Sequence, residues 1–343
     1  MRNFDTQDLK RQDYAHHLHP FTNHRDLWAQ DAVRVITKAD GCWLWDSEGE
    51  KILDGMAGLW CVNVGYGRKE LAQTASQQMQ ELNYYNSFFK TSNPPVIELS
   101  TKLSELLDHH LEHFFFSCSG SEAVDSAIRL AYRFWQAQGQ RKRTKIISRY
   151  NSYHGSTILG ACLGGVPTMH DQVGFNLDNI IHIAQPYHFA NKDKLSAKDF
   201  GIAVANQLEQ KINEIGADQI AAFIGEPIQG AGGVIIPPDS YWPEIENICR
   251  HYGILMICDE VICGFGRTGE WFGHQTMKCK PDLITMAKGL SSGYFPVSAV
   301  GCTSHIIERI NRSEYEFAHG YTYSGHPVGC AVAKHNIEII ENE

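Results

Sequence analysis

The sequence lacks any run of about eighteen consecutive apolar residues, the least a membrane-crossing helix needs, so no transmembrane segment is expected. Residues 1–30 are polar and contain no apolar stretch that could serve as a secretory signal. Positive charge is scarce: 30 Lys and Arg stand against 39 Asp and Glu, a formal net charge of −9 at pH 7. Nucleic acid and anionic membrane surfaces are therefore excluded as main partners. No Cys-x-x-Cys pair occurs among the ten cysteines, and Cys258 and Cys263 are wrongly spaced for a structural zinc site. Cys249, Cys258 and Cys330 lie inside apolar runs and read as small, reduced core residues, which points to the cytoplasm. The histidines of His16-His17-x-His19 read as a solvated helix or loop end in preference to a metal site, and no metal is expected. Repeats and low-complexity tracts are absent as well.

What the chain has in quantity is apolar surface. With 343 residues, 43% of them hydrophobic and 20% charged, it can bury a large core in one big α/β domain or in two domains. Residues 1–30 suggest an N-terminal helix and arm, and 40–54 alternate like a hairpin that turns over 46–49. Residues 55–67 place four glycines among aromatics, the mark of a close-packed loop. Amphipathic helices are expected over 70–82 and 95–107. The aromatic stretch 83–90 between them suits either core or subunit packing or a substrate wall. Residues 114–116 read as a strand, followed by a helix with Val124, Ile128, Ala131 and Trp135 on one face. From residue 145 strand and helix signals alternate, the pattern of a mostly parallel, doubly wound sheet.

Three apolar runs each end in a charged residue. Residues 254–258 lead to Asp259, 283–287 to Lys288, and 221–225 to Glu226. Continuous apolar runs suit parallel strands covered on both faces, whose carboxyl ends line the ligand crevice of an open sheet. A lysine there can form a Schiff base with an aldehyde if desolvation or a nearby cation makes its amine nucleophilic. Pyridoxal 5'-phosphate (PLP) is such an aldehyde, and it needs a carboxylate against its ring nitrogen. A structural salt bridge is the plain alternative for Asp259 and Lys288.

Other segments fit the same chemistry. Ser119-Gly120-Ser121 precedes a helix, where free N–H groups and the helix dipole attract an anion; an ordinary helix cap is the alternative. Tyr153 can stack on a flat heterocycle, and His154 can bond a phenolic oxygen or serve the structure. Residues 319–327 form a hydroxyl-rich loop able to bind phosphate. Gly264-Phe265-Gly266-Arg267-Thr268-Gly269 matches a dinucleotide fingerprint, but no phosphate-facing helix follows it, so a nicotinamide cofactor is rejected.

Taken together, Ser119 to Glu122, Tyr153-His154-Gly155, residues 225–230, Asp259 to Val261 with the 264–269 glycines, and Lys288-Gly289 resemble the class III PLP-dependent aminotransferases. Leu59-Trp60-Cys61 with residues 84–89 is similar to the ω-transaminases, which use pyruvate as acceptor. The resemblance implies PLP-dependent transferase fold type I: a mostly parallel sheet of the seven-stranded type with helices on both faces, plus part of a smaller α+β domain. Residues 1–55 would be the N-terminal segment of the small domain and 56–320 the PLP-binding domain. Residues 321–343 would begin a helix leading to a C-terminal part that is absent.

The resemblance also implies roles. Lys288 would hold PLP covalently and then shuttle the substrate proton, and Asp259 would keep the ring nitrogen protonated. Val261 and Tyr153 would pack on the two ring faces, with Glu226 and His154 nearby. Ser119, Gly120 and Ser121 would hold the phosphate, helped by Thr322 from the second subunit of a homodimer with its active site at the interface. Trp60, Phe88 and Tyr153 would shape the pocket for a small-molecule amine donor and a keto-acid acceptor. The implied activity is ping-pong transfer of an amino group from a primary amine or ω-amino acid to a keto acid, pyruvate foremost. An aminomutase, a decarboxylase and a truncated non-catalytic PLP-binding fragment are the alternatives. The arginine that receives the acceptor carboxylate in this family would lie beyond Glu343, so poor turnover with pyruvate is expected of the chain as given.

Overall fold

The computed structural model describes residues 4–174, 178–191, 194–314 and 316–343. The chain divides into two compact units, residues 1–69 and 70–343.

In the first unit, Asp5 and Asn23 cap the helices Thr6–His16 and His24–Ala29 by accepting N–H groups that have no intrahelical partner. Strands β1 (Ile36–Asp40), β2 (Trp43–Asp46) and β3 (Lys51–Leu53) form an antiparallel sheet in that order. The expected turn over 46–49 is present. Asp46 builds it by accepting the N–H groups of Glu48 (3.0 Å) and Glu50 (2.9 Å).

The glycine-rich loop folds into a left-handed turn, with positive φ at Ala57, Gly58, Leu59 and Trp60. Non-glycine residues resist that conformation by roughly 1–2 kcal/mol each, so something must hold it. Asp54 does so: its carboxylate accepts the N–H groups of Met56 and Gly58 and the Tyr66 hydroxyl (3.1, 2.7 and 2.8 Å). A Cβ at position 58 would stand 2.6 Å from Tyr66 Oη, so only glycine fits there.

The second unit is built on a seven-stranded sheet. Its strands are β4 (His113–Ser117), β5 (Lys145–Arg149), β6 (Ile180–Ile183), β7 (Ile220–Gly225), β8 (Leu255–Asp259), β9 (Leu283–Met286) and β10 (Ser298–Cys302). The order is β4-β10-β9-β8-β7-β5-β6. β10 runs antiparallel to both neighbours, and the pairs from β9 through β6 are parallel. β4 therefore points the same way as β9. Six strands (β4, β5, β6, β7, β8 and β9) deliver their carboxyl ends to one edge.

Alternation along each strand sorts side chains between two apolar layers. Leu255 and Ile257 face the layer of the helix Gly120–Ala137, together with Ala222 and Ile224. Met256, Cys258 and Phe223 face the other layer, with Leu208, Trp242 and Ile248 from the helices Ala197–Ile215 and Tyr241–Tyr252. Burial on both faces contributes about 1.5–3 kcal/mol per large aliphatic side chain. It also explains why these strands read as unbroken apolar runs. The helix Pro327–Asn342 packs Cys330, Ala333 and Ile337 into the second layer. All ten cysteines are free thiols, seven of them buried. Among the described residues no helix is long and apolar enough to cross a membrane.

The 264–269 glycines serve a turn. Phe265, at φ +59°, drives its ring into the core against Phe272 at 5.3 Å, and the next helix, Gly273–Thr276, has only four residues.

Candidate active site

The sheet register places Asp259, the last residue of β8, opposite Thr285 on β9. Its carboxylate is 3% exposed and carries three neighbours. The Thr285 hydroxyl (2.9 Å) and the Val261 N–H (3.2 Å) donate to Oδ1, and His154 Nδ1 lies 2.7 Å from Oδ2. This side chain is fixed in direction by protein on both oxygens. His154 itself is buried, and its Nε2 has no protein partner. Its ring stands on the Asp259 carboxylate through Nδ1, the contact that a structural role, one of its two sequence readings, calls for.

Lys288 comes two residues after β9, on the short turn Lys288–Leu290, with a half-buried side chain and φ +44°. A non-glycine residue in that region is strained and persists only where its surroundings hold it. Buried Asn336, on the helix Pro327–Asn342, supplies the hold by donating to the carbonyls of Gly289 (2.9 Å) and Leu290 (3.1 Å). Sequence reading did not single out Asn336. An asparagine among the buried apolar positions of that helix is its only signal.

At the end of β4, Ser119 caps the helix Gly120–Ala137 in a reciprocal box. Its hydroxyl accepts the Glu122 N–H (3.2 Å), and Glu122 accepts the Ser119 N–H (3.2 Å) and the Cys118 N–H (2.7 Å). The cap reading of Ser119 is thus realised, and it leaves the N–H groups of Gly120 and Ser121 pointing forward without an intrahelical acceptor. A Cβ on Gly120 would meet Val261 Cγ1 at 3.0 Å and Ala287 Cβ at 3.7 Å, so the helix start, the residue beyond Asp259 and the residue before Lys288 converge here. The Ser121 hydroxyl accepts the Ser156 N–H (3.0 Å), which draws the Tyr153–Ser156 loop to the same point.

Glu226, 2% exposed, organises that loop from the other side. Its carboxylate accepts the N–H groups of Tyr153 (3.1 Å) and Gly230 (2.9 Å). Glu260 points away and caps the helix Gly273–Thr276 through the Gly273 and His274 N–H groups.

The aromatic stretch 83–90 meets the hydroxyl-rich loop. Tyr84 donates to the Thr322 carbonyl (2.8 Å), Ser87 to that of Ser324 (2.9 Å), and Phe88 lies over Gly320. His319 anchors the loop to the Gly120–Ala137 helix through Ser126 (2.8 Å) and stacks on Phe115. Thr322 is exposed. Trp60, on the left-handed turn of the first unit, is half-buried.

The profile of the family described as Aminotransferase class-III matches residues 26–343. The putrescine–pyruvate aminotransferase of Pseudomonas aeruginosa is 52% identical over 99% of this chain and 74% of its own length. An (S)-enantioselective ω-transaminase from Thermomicrobium roseum superposes with a TM-score of 0.96 at 44% identity, over 99% of this chain and 76% of that one. The ω-transaminase of Pseudomonas jessenii, solved in complex with PMP, gives 0.94 at 40% identity, over 97% of this chain and 74% of that one.

The chain belongs to the class III aminotransferases.

As an aminotransferase it moves amino groups from amines to keto acids, and its fold is PLP fold type I. Enzymes of this class use PLP. The residues of this aminotransferase fit that group: unpaired helix N–H groups suit a phosphate, and a buried, oriented carboxylate suits a pyridinium.

Burial pushes the Glu226 carboxyl above its ordinary 4.5, and nearby Asp259 adds to this, while His154, Arg149 and the Gly230 N–H pull it back. The folded state therefore binds this proton more tightly than the unfolded chain, and the contribution to stability falls as pH rises past 4.5. Glu226→Gln removes that dependence. The melting temperature of the parent aminotransferase, measured relative to the variant, is expected to fall with rising pH in this range. A constant difference would contradict the assignment.

Proposed function

We propose that this aminotransferase takes its amino group from an aliphatic diamine, putrescine foremost, and gives it to pyruvate, acting in the cytoplasm as a PLP-bearing homodimer. The observation that carries the substrate reading is the 52% identity to a putrescine–pyruvate aminotransferase, which extends over 99% of this chain. The free thiols agree with a reducing compartment. Bound PLP supplies the electron sink that makes the amine carbon acidic.

The protein's part follows from its own groups. Lys288 Nζ would hold the cofactor's aldehyde carbon and, when free, would serve as the base that takes the proton from the amine carbon. Asp259 would hold a proton on the ring nitrogen, and His154 and Thr285 keep its oxygens aimed. Val261 and Tyr153 would enclose the ring, and Glu226 sets the Tyr153 loop. The N–H groups of Gly120 and Ser121, with the Ser119 and Ser121 hydroxyls, would bind the phosphate, and Thr322 would serve the phosphate of the second subunit. Phe88 and Tyr153 would line the apolar wall that favours amines without an α-carboxylate, and Trp60 keeps the substrate role that the resemblance implies. Its support is the aromatic character of these positions and the contact of Phe88 with the Thr322 loop.

The test is a panel of putrescine, β-alanine and an aralkylamine, each supplied with pyruvate and the PLP-loaded chain, with alanine as the product read. Putrescine is expected to give the highest kcat/KM. A higher value for β-alanine or the aralkylamine would overturn the diamine assignment.

A further inference from the structure

Asp13, His17 and His19 stand together in the first unit, among residues that the transamination chemistry does not use. Helical spacing accounts for half of the cluster: Asp13 and His17 are four apart, on one face at the end of the helix Thr6–His16. The chain then leaves the helix extended at His17, which carries His19 back to the second carboxylate oxygen. His17 Nδ1 lies 2.9 Å from Asp13 Oδ1, and His19 Nε2 lies 2.6 Å from Oδ2. The two imidazole rings are 4.2 Å apart. His24 fixes the returning segment by accepting the His19 N–H at Nε2 (2.8 Å).

One nitrogen from each histidine and one carboxylate oxygen all lie within 4.8 Å of one another. Bonds to zinc of about 2.0–2.2 Å need such atoms roughly 3.3 Å apart, a closing of at most about 1.5 Å shared between side chains that are exposed or partly so. The His17 side chain is 58% exposed, so a hydrated ion can reach the cluster and keep water in its remaining positions. Two imidazoles and a carboxylate suit Zn²⁺, Ni²⁺ or Cu²⁺, whereas Ca²⁺ and Mg²⁺ call for a shell of oxygens that this cluster does not offer.

We propose that Asp13, His17 and His19 form a site for a divalent transition-metal ion of the zinc class, clamping the end of the first helix to the segment that follows. A hydrogen-bonded cap, with Asp13 bridging two histidines, is the competing account of the same geometry, and metal binding separates the two. The chain, prepared without a histidine tag and with its thiols alkylated, is titrated with Zn²⁺ by calorimetry. One ion per chain is expected, unaffected by His16→Gln, which lies outside the cluster. Binding should weaken at least about 100-fold in the His17→Gln/His19→Gln double variant and also fall in Asp13→Asn, whose shape is conserved. With Cu²⁺ as probe, nitrogen hyperfine structure in the electron paramagnetic resonance spectrum is expected from the parent chain and not from the double variant. All three positions lie at the surface, so a circular dichroism spectrum equal to the parent's is expected for each variant. Failure to bind one ion, or equal binding by the double variant, would overturn the proposal.

Discussion

Replacing Lys288 by alanine lowers alanine formation from putrescine and pyruvate by about 10⁴-fold or more, the upper end of what one positioned acid–base group supplies. The size of the effect follows from two duties resting on one nitrogen. In the proposed mechanism the same amine would anchor the cofactor and then move the substrate proton. The protein itself should remain folded. Lys288 is half-buried on a turn whose carbonyls are held by Asn336, and that clamp acts on the Gly289 and Leu290 backbone, not on the lysine side chain. A variant with unchanged circular dichroism and most of its turnover intact would remove Lys288 from the reaction.

The second large effect belongs to Asp259. In Asp259→Asn the amide cannot accept on both sides as the carboxylate does from Thr285, Val261 and His154. One buried neighbour is left facing a donor, at about 1–3 kcal/mol of stability. The functional loss is larger than this, because a neutral amide does not hold a proton on the cofactor ring. We expect kcat for the amine half-reaction to fall about 10²–10³-fold, the range for removing one preorganised electrostatic group. Cofactor retention on gel filtration should weaken with it. If melting temperature drops while kcat stays within a few-fold, Asp259 is a structural residue only.

Much of this site could be read from sequence because strand ends are legible there. The runs before Glu226, Asp259 and Lys288 are unbroken apolar stretches, and the sheet buries both faces of β7 and β8, so the charged residue after each run falls at the crevice. The helix after Ser119 announced itself by its apolar period, and Val124, Ile128, Ala131 and Trp135 are all buried.

What could not be read was set by contacts distant in sequence. The antiparallel direction of β10 depends on its pairing with β4 and β9. β1 was missed because short, half-exposed strands carry little apolar signal. The helix Ala197–Ile215 starts where the side chain of Ser196 caps it through the Asp199 N–H, a contact that no apolar period announces. The contribution of Asn336 to the Lys288 turn spans 47 residues, and the grip of Asp54 on the Trp60 turn involves a tyrosine hydroxyl 12 residues away. Neither leaves a local pattern. His154 had two readings in sequence, and only the register of β8 against β9, with the loop after β5 folded behind it, puts its ring on Asp259.

Chemical trapping is the shortest route to the central claim. The PLP-loaded chain is reduced with borohydride, digested, and its peptides are mapped by mass spectrometry. A pyridoxyl group on the peptide containing Lys288 is expected. The same group on another lysine, or on none, would contradict the account.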